Sequence, residues 1–209
     1  MAVLSVTNLS VVKRDRCLFD NLNFAVESGG LLYVKGQNGA GKTSLLRVLA
    51  GLVNADLGDV FFSQQNIQDC RENYHQNLVY FGHKLGINQT LSAVENLQFW
   101  CKQHQVAISV DIICSALEHL NLVGLEDIPV ANLSAGQQRR VALARFWFKQ
   151  TAKLWILDEP FTALDTQGVD LLSKQITQFL SGGGAVVMTS HQALRIDYPT
   201  DVLTLEYRV

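Results

Sequence analysis

The chain has 209 residues, of which 48% are hydrophobic and only 3 are proline, enough to bury about 70% of its unfolded surface and to exclude disorder as the dominant state. Seventeen Lys and Arg against nineteen Asp and Glu leave a formal charge of −2, which excludes a global electrostatic attraction to nucleic acid or anionic lipid and makes any phosphate site a local feature. Charged residues make up 17%, below the usual quarter, which predicts that another protein covers part of the surface.

The segment 3–26 reads as strand in short β-branched and aromatic runs, and 31–35 as a fully apolar strand running straight into a glycine-rich turn. A helix is predicted over 43–49, with Leu45, Leu46, Val48 and Leu49 at core spacing and Gly51 as its stop. Residues 60–62 and 78–81 read as further strands, and the character then changes to helix from Thr90 to about Gln150, with Ser92 and Ser109 as N-caps. Strand signals return at 154–157, 185–189 and 202–205, separated by a helix over about 167–180. The longest apolar runs, such as 154–157 and 185–188, fall far short of the roughly 20 residues that span a bilayer. Residues 1–12 lack a secretory signal pattern, so cytosolic residence is expected. Cys17, Cys70, Cys101 and Cys114 form no CxxC pair and read as core or incidental thiols.

Gly36-Gln37-Asn38-Gly39-Ala40-Gly41-Lys42-Thr43 matches G-x-x-x-x-G-K-[ST] between an apolar strand and a helix. Its glycines let backbone N–H groups turn inward around phosphate oxygens, and the helix N-terminus adds partial positive charge. Lys42 then reaches the β and γ phosphates, Thr43 offers a hydroxyl to Mg²⁺, and Ser44 completes the cradle with Gly36, Asn38, Gly39, Ala40 and Gly41. Leu154-Trp155-Ile156-Leu157-Asp158-Glu159 is a buried strand ending in two carboxylates, where a parallel sheet meets its ligand. Asp158 fits an Mg²⁺ partner. Glu159, expected on the other side of the strand, fits a general base that polarises an attacking water. Leu133-Ser134-Ala135-Gly136-Gln137 opens another helix, with Ser134 as N-cap and a close backbone approach at Gly136, and so makes a second anion-binding terminus. Because the first cradle is complete by itself, two such sites point to two chains sharing nucleotide. His191, after a strand end, is placed to contact a γ-phosphate or orient water.

These elements in this order resemble the ATP-binding cassette family across essentially the whole chain. Residues 36–43 look like its Walker A, 133–137 its signature, 154–159 its Walker B, Ala163-Leu164-Asp165 its D-loop, and His191 its switch histidine. The resemblance implies an α/β fold: a P-loop NTPase with a RecA-like core sheet, an N-terminal antiparallel β subdomain and a helical insertion at about 89–150, all within one domain over 1–209. It also implies ATP and Mg²⁺ as cofactors and a head-to-tail homodimer sandwiching two MgATP. Each nucleotide would be held by one subunit's phosphate loop and by Ser134, Gly136 and Gln137 of the other, with closure and reopening driving a membrane partner.

Within that family, Tyr74-His75-Gln76-Asn77-Leu78, Gly82-His83, Glu126-Asp127-Ile128-Pro129-Val130 and the run from Leu133 to Arg145 look like the ATPase subunits of cytochrome c maturation systems, often described as haem exporters. That implies peripheral association with the cytoplasmic face of a bacterial inner membrane, an integral-membrane permease subunit of the CcmB type, haem-handling partners and no nucleic acid. Hydrolysis would then release a haem-loaded chaperone. Two positions depart from the wider family. The Q-loop glutamine is His83 here, which can still offer a ring nitrogen to a metal-bound water, and the adenine-stacking aromatic is replaced by Lys13 and Arg14, where an arginine plane can substitute. The aromatics of 145–149 and Phe99-Trp100 read as core, and Cys101 and His104 at i, i+3 form no haem attachment motif. A transporter ATPase for another substrate stays open as the main alternative, ahead of a soluble nucleic-acid or translation factor built on the same cassette.

Overall fold

The computed structural model describes residues 1–190 and 196–207. The chain divides into two compact units, one formed by Met1–Gly82, Ala152–Pro160 and Ile176–Val209, the other by His83–Thr151 and Phe161–Gln175. In chain order the described strands and α-helices are β1 (Ala2–Lys13), β2 (Arg16–Glu27), β3 (Leu31–Gly36), α1 (Lys42–Leu49), β4 (Leu57–Phe62), β5 (Gln65–Asn66), α2 (Arg71–Asn77), β6 (Leu78–Phe81), α3 (Ala93–Gln103), α4 (Val110–His119), α5 (Ala135–Leu143), β7 (Leu154–Leu157), α6 (Thr166–Ser181), β8 (Ala185–Thr189) and β9 (Thr200–Leu205), with short 3-10 turns at Val130–Asn132 and Ala144–Trp147.

The first unit holds two sheets. The strand signal of the first two dozen residues resolves into the β1–β2 hairpin, whose turn residues Arg14 and Asp15 both have positive φ (48° and 61°), the backbone that matches strand twist in a tight turn. With β4 and β5 the hairpin makes an antiparallel sheet in the order β2-β1-β4-β5. The other sheet is parallel, in the order β6-β7-β8-β3-β9. Every residue of β7 and β8 is buried, as expected of parallel strands covered on both faces. Leu45, Leu46 and Leu49 of α1 join Leu4, Val6 and Phe62 of the antiparallel sheet and Val34, Ile156 and Val187 of the parallel sheet in one core. On β7, Trp155 stacks on Phe179, centroids 3.9 Å apart and nearly coplanar at 4°. The parallel arrangement brings the carboxyl ends of β3, β8 and β7, three adjacent strands, to one edge of the sheet.

In the second unit the stretch expected to be helical, with caps at Ser92, Ser109 and Ser134, holds the three α-helices α3, α4 and α5. Positive φ at Asn121 and Gly124 and a proline at position 129 interrupt it. Ser92 and Ser109 cap α3 and α4 as expected, and Ser92 forms a reciprocal capping box with Glu95. Buried Asn96 ties the preceding loop to α3: its amide donates to the carbonyls of Asn88 and Leu91 at 2.9 and 3.2 Å and its oxygen accepts from the Asn88 N–H at 2.7 Å. The short helix α2 was not legible in the sequence, because Tyr74 is its only buried residue and it presents no apolar period. No helix among the described residues is long and apolar enough to cross a membrane.

Candidate functional site

The phosphate loop is built by β3 running into α1. Gly39 and Gly41 take positive φ (80° and 98°), and the Ala40 N–H donates to the Gln37 carbonyl at 3.1 Å, so the loop turns on itself before the helix starts. Gly41 provides no side-chain cap and the first turn of α1 has no acidic residue, which suits that helix end to an anion. Lys42 is 8% exposed, and its ammonium donates to the carbonyls of Gly36 at 2.6 Å and Gln37 at 3.1 Å. The amine is thereby held against the loop it serves. Thr43 is exposed and Ser44 half-buried.

Lys13 and Arg14, expected as the stand-in for the base-stacking aromatic, are exposed at the end and turn of the hairpin. The guanidinium that reaches the phosphate loop is Arg16. It donates to the Gly39 carbonyl at 3.1 Å and lies 3.9 Å over the Tyr207 ring. Sequence reasoning missed this pair because Tyr207 arrives from the far end of the chain.

Asp158 follows β7 and is 2% exposed. Its N–H donates to the Phe81 carbonyl at 2.7 Å, and its Oδ1 accepts the Thr189 hydroxyl at 2.8 Å. Its Oδ2 is buried without a hydrogen-bond partner among the described residues. Glu159 is not placed by strand alternation, contrary to expectation: β7 ends at Leu157, and Glu159 takes a left-handed φ of 54°, so the chain has already turned. Its N–H donates to the Thr189 hydroxyl oxygen at 3.0 Å. Nearby, the Tyr33 hydroxyl donates to the Ser190 carbonyl at 2.8 Å. Burial, and then the Glu159 charge, push the Tyr33 phenol above its ordinary range.

In the second unit, Ser134 caps α5. Its Oγ accepts the Gln137 N–H at 3.3 Å while the Gln137 side chain accepts the Ser134 N–H at 2.8 Å; the hydroxyl proton of Ser134 is left to donate. Gly136 has room for nothing larger without adjustment, since a Cβ there would lie 3.2 Å from the Ala163 carbonyl oxygen. Arg140 of the same helix pairs with Asp165 at 2.5 Å. The Gly168 amide, followed by Arg140, holds the exposed Asp165 carboxyl below its ordinary range. The sequence showed Asp165 but not its partner 25 residues away.

His83, one residue beyond the unit boundary, is exposed. His191 lies outside the described residues. His104 stacks on Trp100 at 4.0 Å and its Nδ1 is engaged by the Trp100 carbonyl at 2.8 Å, while burial pushes the Cys101 thiol up to about 11; Cys101 is a core group and His104 is half-buried. Trp100, Phe146 and Phe148 are buried as expected, whereas Phe99 is 58% exposed. No group of three His, Cys, Asp or Glu suited to a metal occurs among the described residues.

A phosphate loop, adjacent strand-end carboxylates and a capped LSAGQ helix define a P-loop NTPase. The family model described as ABC transporter matches residues 19–162, and the chain belongs to that family of ATP-hydrolysing cassettes. Its relatives include proteins named cytochrome c biogenesis ATP-binding export protein CcmA. That of Vibrio cholerae serotype O1 is 46% identical over 197 residues, covering 94% of this chain and 95% of the relative. That of Yersinia pestis is 50% identical over 192 residues, covering 92% and 87%. Among solved structures, a putative ABC transporter ATP-binding protein from Pyrococcus furiosus superposes with a TM-score of 0.82 at 24% identity, covering 97% of this chain and 96% of that one. A dimeric post-hydrolysis state of the ATP-binding cassette MJ0796 bound to ADP and Pi superposes with a TM-score of 0.75 at 20% identity, covering 90% and 88%. They share its fold.

Proposed function

We propose that this chain is the ATPase subunit of a membrane complex in cytochrome c maturation, in which hydrolysis drives release of a haem-loaded chaperone. The observation that carries the reading is the meeting of the phosphate loop and the Asp158–Glu159 pair at the carboxyl ends of β3 and β7, either side of β8, in a chain whose relatives are named for cytochrome c biogenesis and export. Lys42 and the open amides of α1 hold the β and γ phosphates. The residues present fit Mg²⁺: Asp158 Oδ2 is a buried oxygen with no partner among the described residues, and Thr43 supplies an exposed hydroxyl, both the oxygen donors that a hard cation prefers. When bound, that ion neutralises charge on the transferring phosphoryl group. Glu159 polarises the attacking water, and the resemblance implies the switch role for His191 and the Q-loop role for His83.

Ser134, Gly136 and Gln137 face the nucleotide of a second copy in a head-to-tail homodimer, and the Arg140–Asp165 pair stiffens the D-loop beside the signature helix. The partner in the membrane is a permease subunit of the CcmB type, and the dimer sits peripherally on the cytoplasmic face of the inner membrane. Nucleic acid has no part in it.

The test uses the Glu159→Gln chain, tagged and purified with MgATP from gently solubilised native membranes. A trapped dimer that brings down an integral-membrane subunit and haem absorbance is expected. Recovery of a haem-free, unrelated permease overturns the pathway and leaves the ATPase in place. Lys42→Ala, which removes the ammonium, should raise the Kd for ATP by about 100-fold, the scale of one or two charge-assisted hydrogen bonds.

A further inference from the structure

β8 is filled by apolar residues except at its end. Ala185, Val186, Val187 and Met188 are followed by Thr189, which is wholly buried. A β-branched residue suits this position between β7 and β3, and valine, nearly the same shape, would fill it without burying a hydroxyl. The hydroxyl is in use on both sides. It donates to Asp158 Oδ1 at 2.8 Å and accepts the Glu159 N–H at 3.0 Å. The register explains the meeting: Leu157 of β7 lies opposite Met188 of β8, so the next residue of one strand falls beside the next of the other.

We propose that Thr189 is a positioning residue for ATP hydrolysis, a single hydroxyl that sets both strand-end carboxylates at once. The inference rests on the reading of Asp158 and Glu159 given above. The bond to Oδ1 fixes the rotation of the Asp158 carboxylate, whose backbone is already pinned to Phe81, and leaves Oδ2 as the oxygen for the cation. The bond from the Glu159 N–H restrains a backbone at φ 54°, a region that residues other than glycine seldom hold, and so fixes where the glutamate side chain departs. Thr189 acts through Asp158 and Glu159, the two residues its hydroxyl holds.

The experiment compares Thr189→Val, which keeps shape and loses the hydroxyl, with Thr189→Ser, which keeps the hydroxyl. Full-length chains are matched first for melting temperature, with Thr189→Ala taking the place of the valine variant if that one does not fold. Binding of a fluorescent ATP analogue in EDTA is expected to stay within about twofold of wild type, because the phosphate loop is untouched. The Mg²⁺ concentration for half-saturation at fixed nucleotide should rise about tenfold in Thr189→Val, and kcat of the chain assembled with its membrane partner should fall about tenfold or more at nearly constant KM, the usual cost of losing a hydrogen bond that orients a metal ligand. Thr189→Ser should return both to within about threefold of wild type. A valine variant with wild-type Mg²⁺ half-saturation and kcat overturns the proposal, as does equal impairment by valine and serine, which would mark a packing role. Asp158→Asn and Glu159→Gln run alongside: if they are impaired while Thr189→Val is not, only the positioning role fails, and if they too behave as wild type, the reading of the carboxylates falls with it.

Discussion

Gly41→Ala places a methyl group at the point where the phosphate loop becomes a helix. Gly41 has φ 98° and ψ 7°, a left-handed conformation that costs a residue with a Cβ roughly 1–2 kcal/mol. The new Cβ would also lie 3.1 Å from the Leu18 Cβ and 3.4 Å from a Phe19 ring carbon. Both neighbours belong to the core behind the loop, and forcing them apart costs about 1–3 kcal/mol more. A loss near 3 kcal/mol, spread over a chain of this size at about 2–4 °C per kcal/mol, lowers the melting temperature by about 6–12 °C. Gly124→Ala separates the two contributions. That glycine also has a left-handed φ, 76°, but a Cβ there meets nothing within 4 Å, so it bears the conformational cost alone, about 1–2 kcal/mol. The assay is thermal unfolding of both variants, with binding of a fluorescent ATP analogue as second readout. Gly41→Ala should bind at least about tenfold more weakly, because the loop must shift to admit the methyl group and its N–H groups shift with it, while Gly124→Ala binds as wild type. Equal melting temperatures for the two variants, or wild-type nucleotide affinity in Gly41→Ala, would refute the reasoning.

Asn96→Ala removes the amide that holds residues 88–92 to α3. It should cost about 3 kcal/mol in chemical unfolding, with faster hydrogen exchange at the Asn88 amide; unchanged exchange there would show that the loop holds itself. Lys149 is 3% exposed, and burial pushes its ammonium down to about 8. The unfolded chain therefore binds more protons between pH 8 and 10.5, and native stability gains across that window as the buried charge is relieved. Relative to Lys149→Met, wild type should gain up to about 3 kcal/mol from pH 7 to pH 10.5; a difference that stays flat across that range in denaturant titrations would show that the buried amine is not penalised.

The chemistry of the site was legible where it is written in consecutive residues. Gly36 to Thr43 reads as a phosphate loop because its backbone geometry needs glycine at set positions, and Ser92, Ser109 and Ser134 read as caps because a hydroxyl three residues before a helical N–H satisfies it locally. The apolar runs 154–157 and 185–188 read as strand for the same local reason, and both lie buried in the parallel sheet. Illegible features were of another kind. The helix α2 packs through one tyrosine and carries no period, and the turn at Glu159 follows from how the end of β7 is held, which alternation along a strand does not describe.

What the amino-acid order determined by itself is the family and the inventory of reacting groups, since caps, glycine turns and strand periodicity are properties of a few adjacent residues. Tertiary structure decided which of those groups are held, and by what. Thr189 reaches Asp158 and Glu159 across about 30 positions of chain, Arg140 reaches Asp165 across 25, and Arg16 joins the phosphate loop to Tyr207. Each pairing depends on sheet register or on the packing of elements distant in the chain, and a hydrogen bond of about 3 Å is made or lost by a one-residue slip that leaves the sequence pattern unchanged.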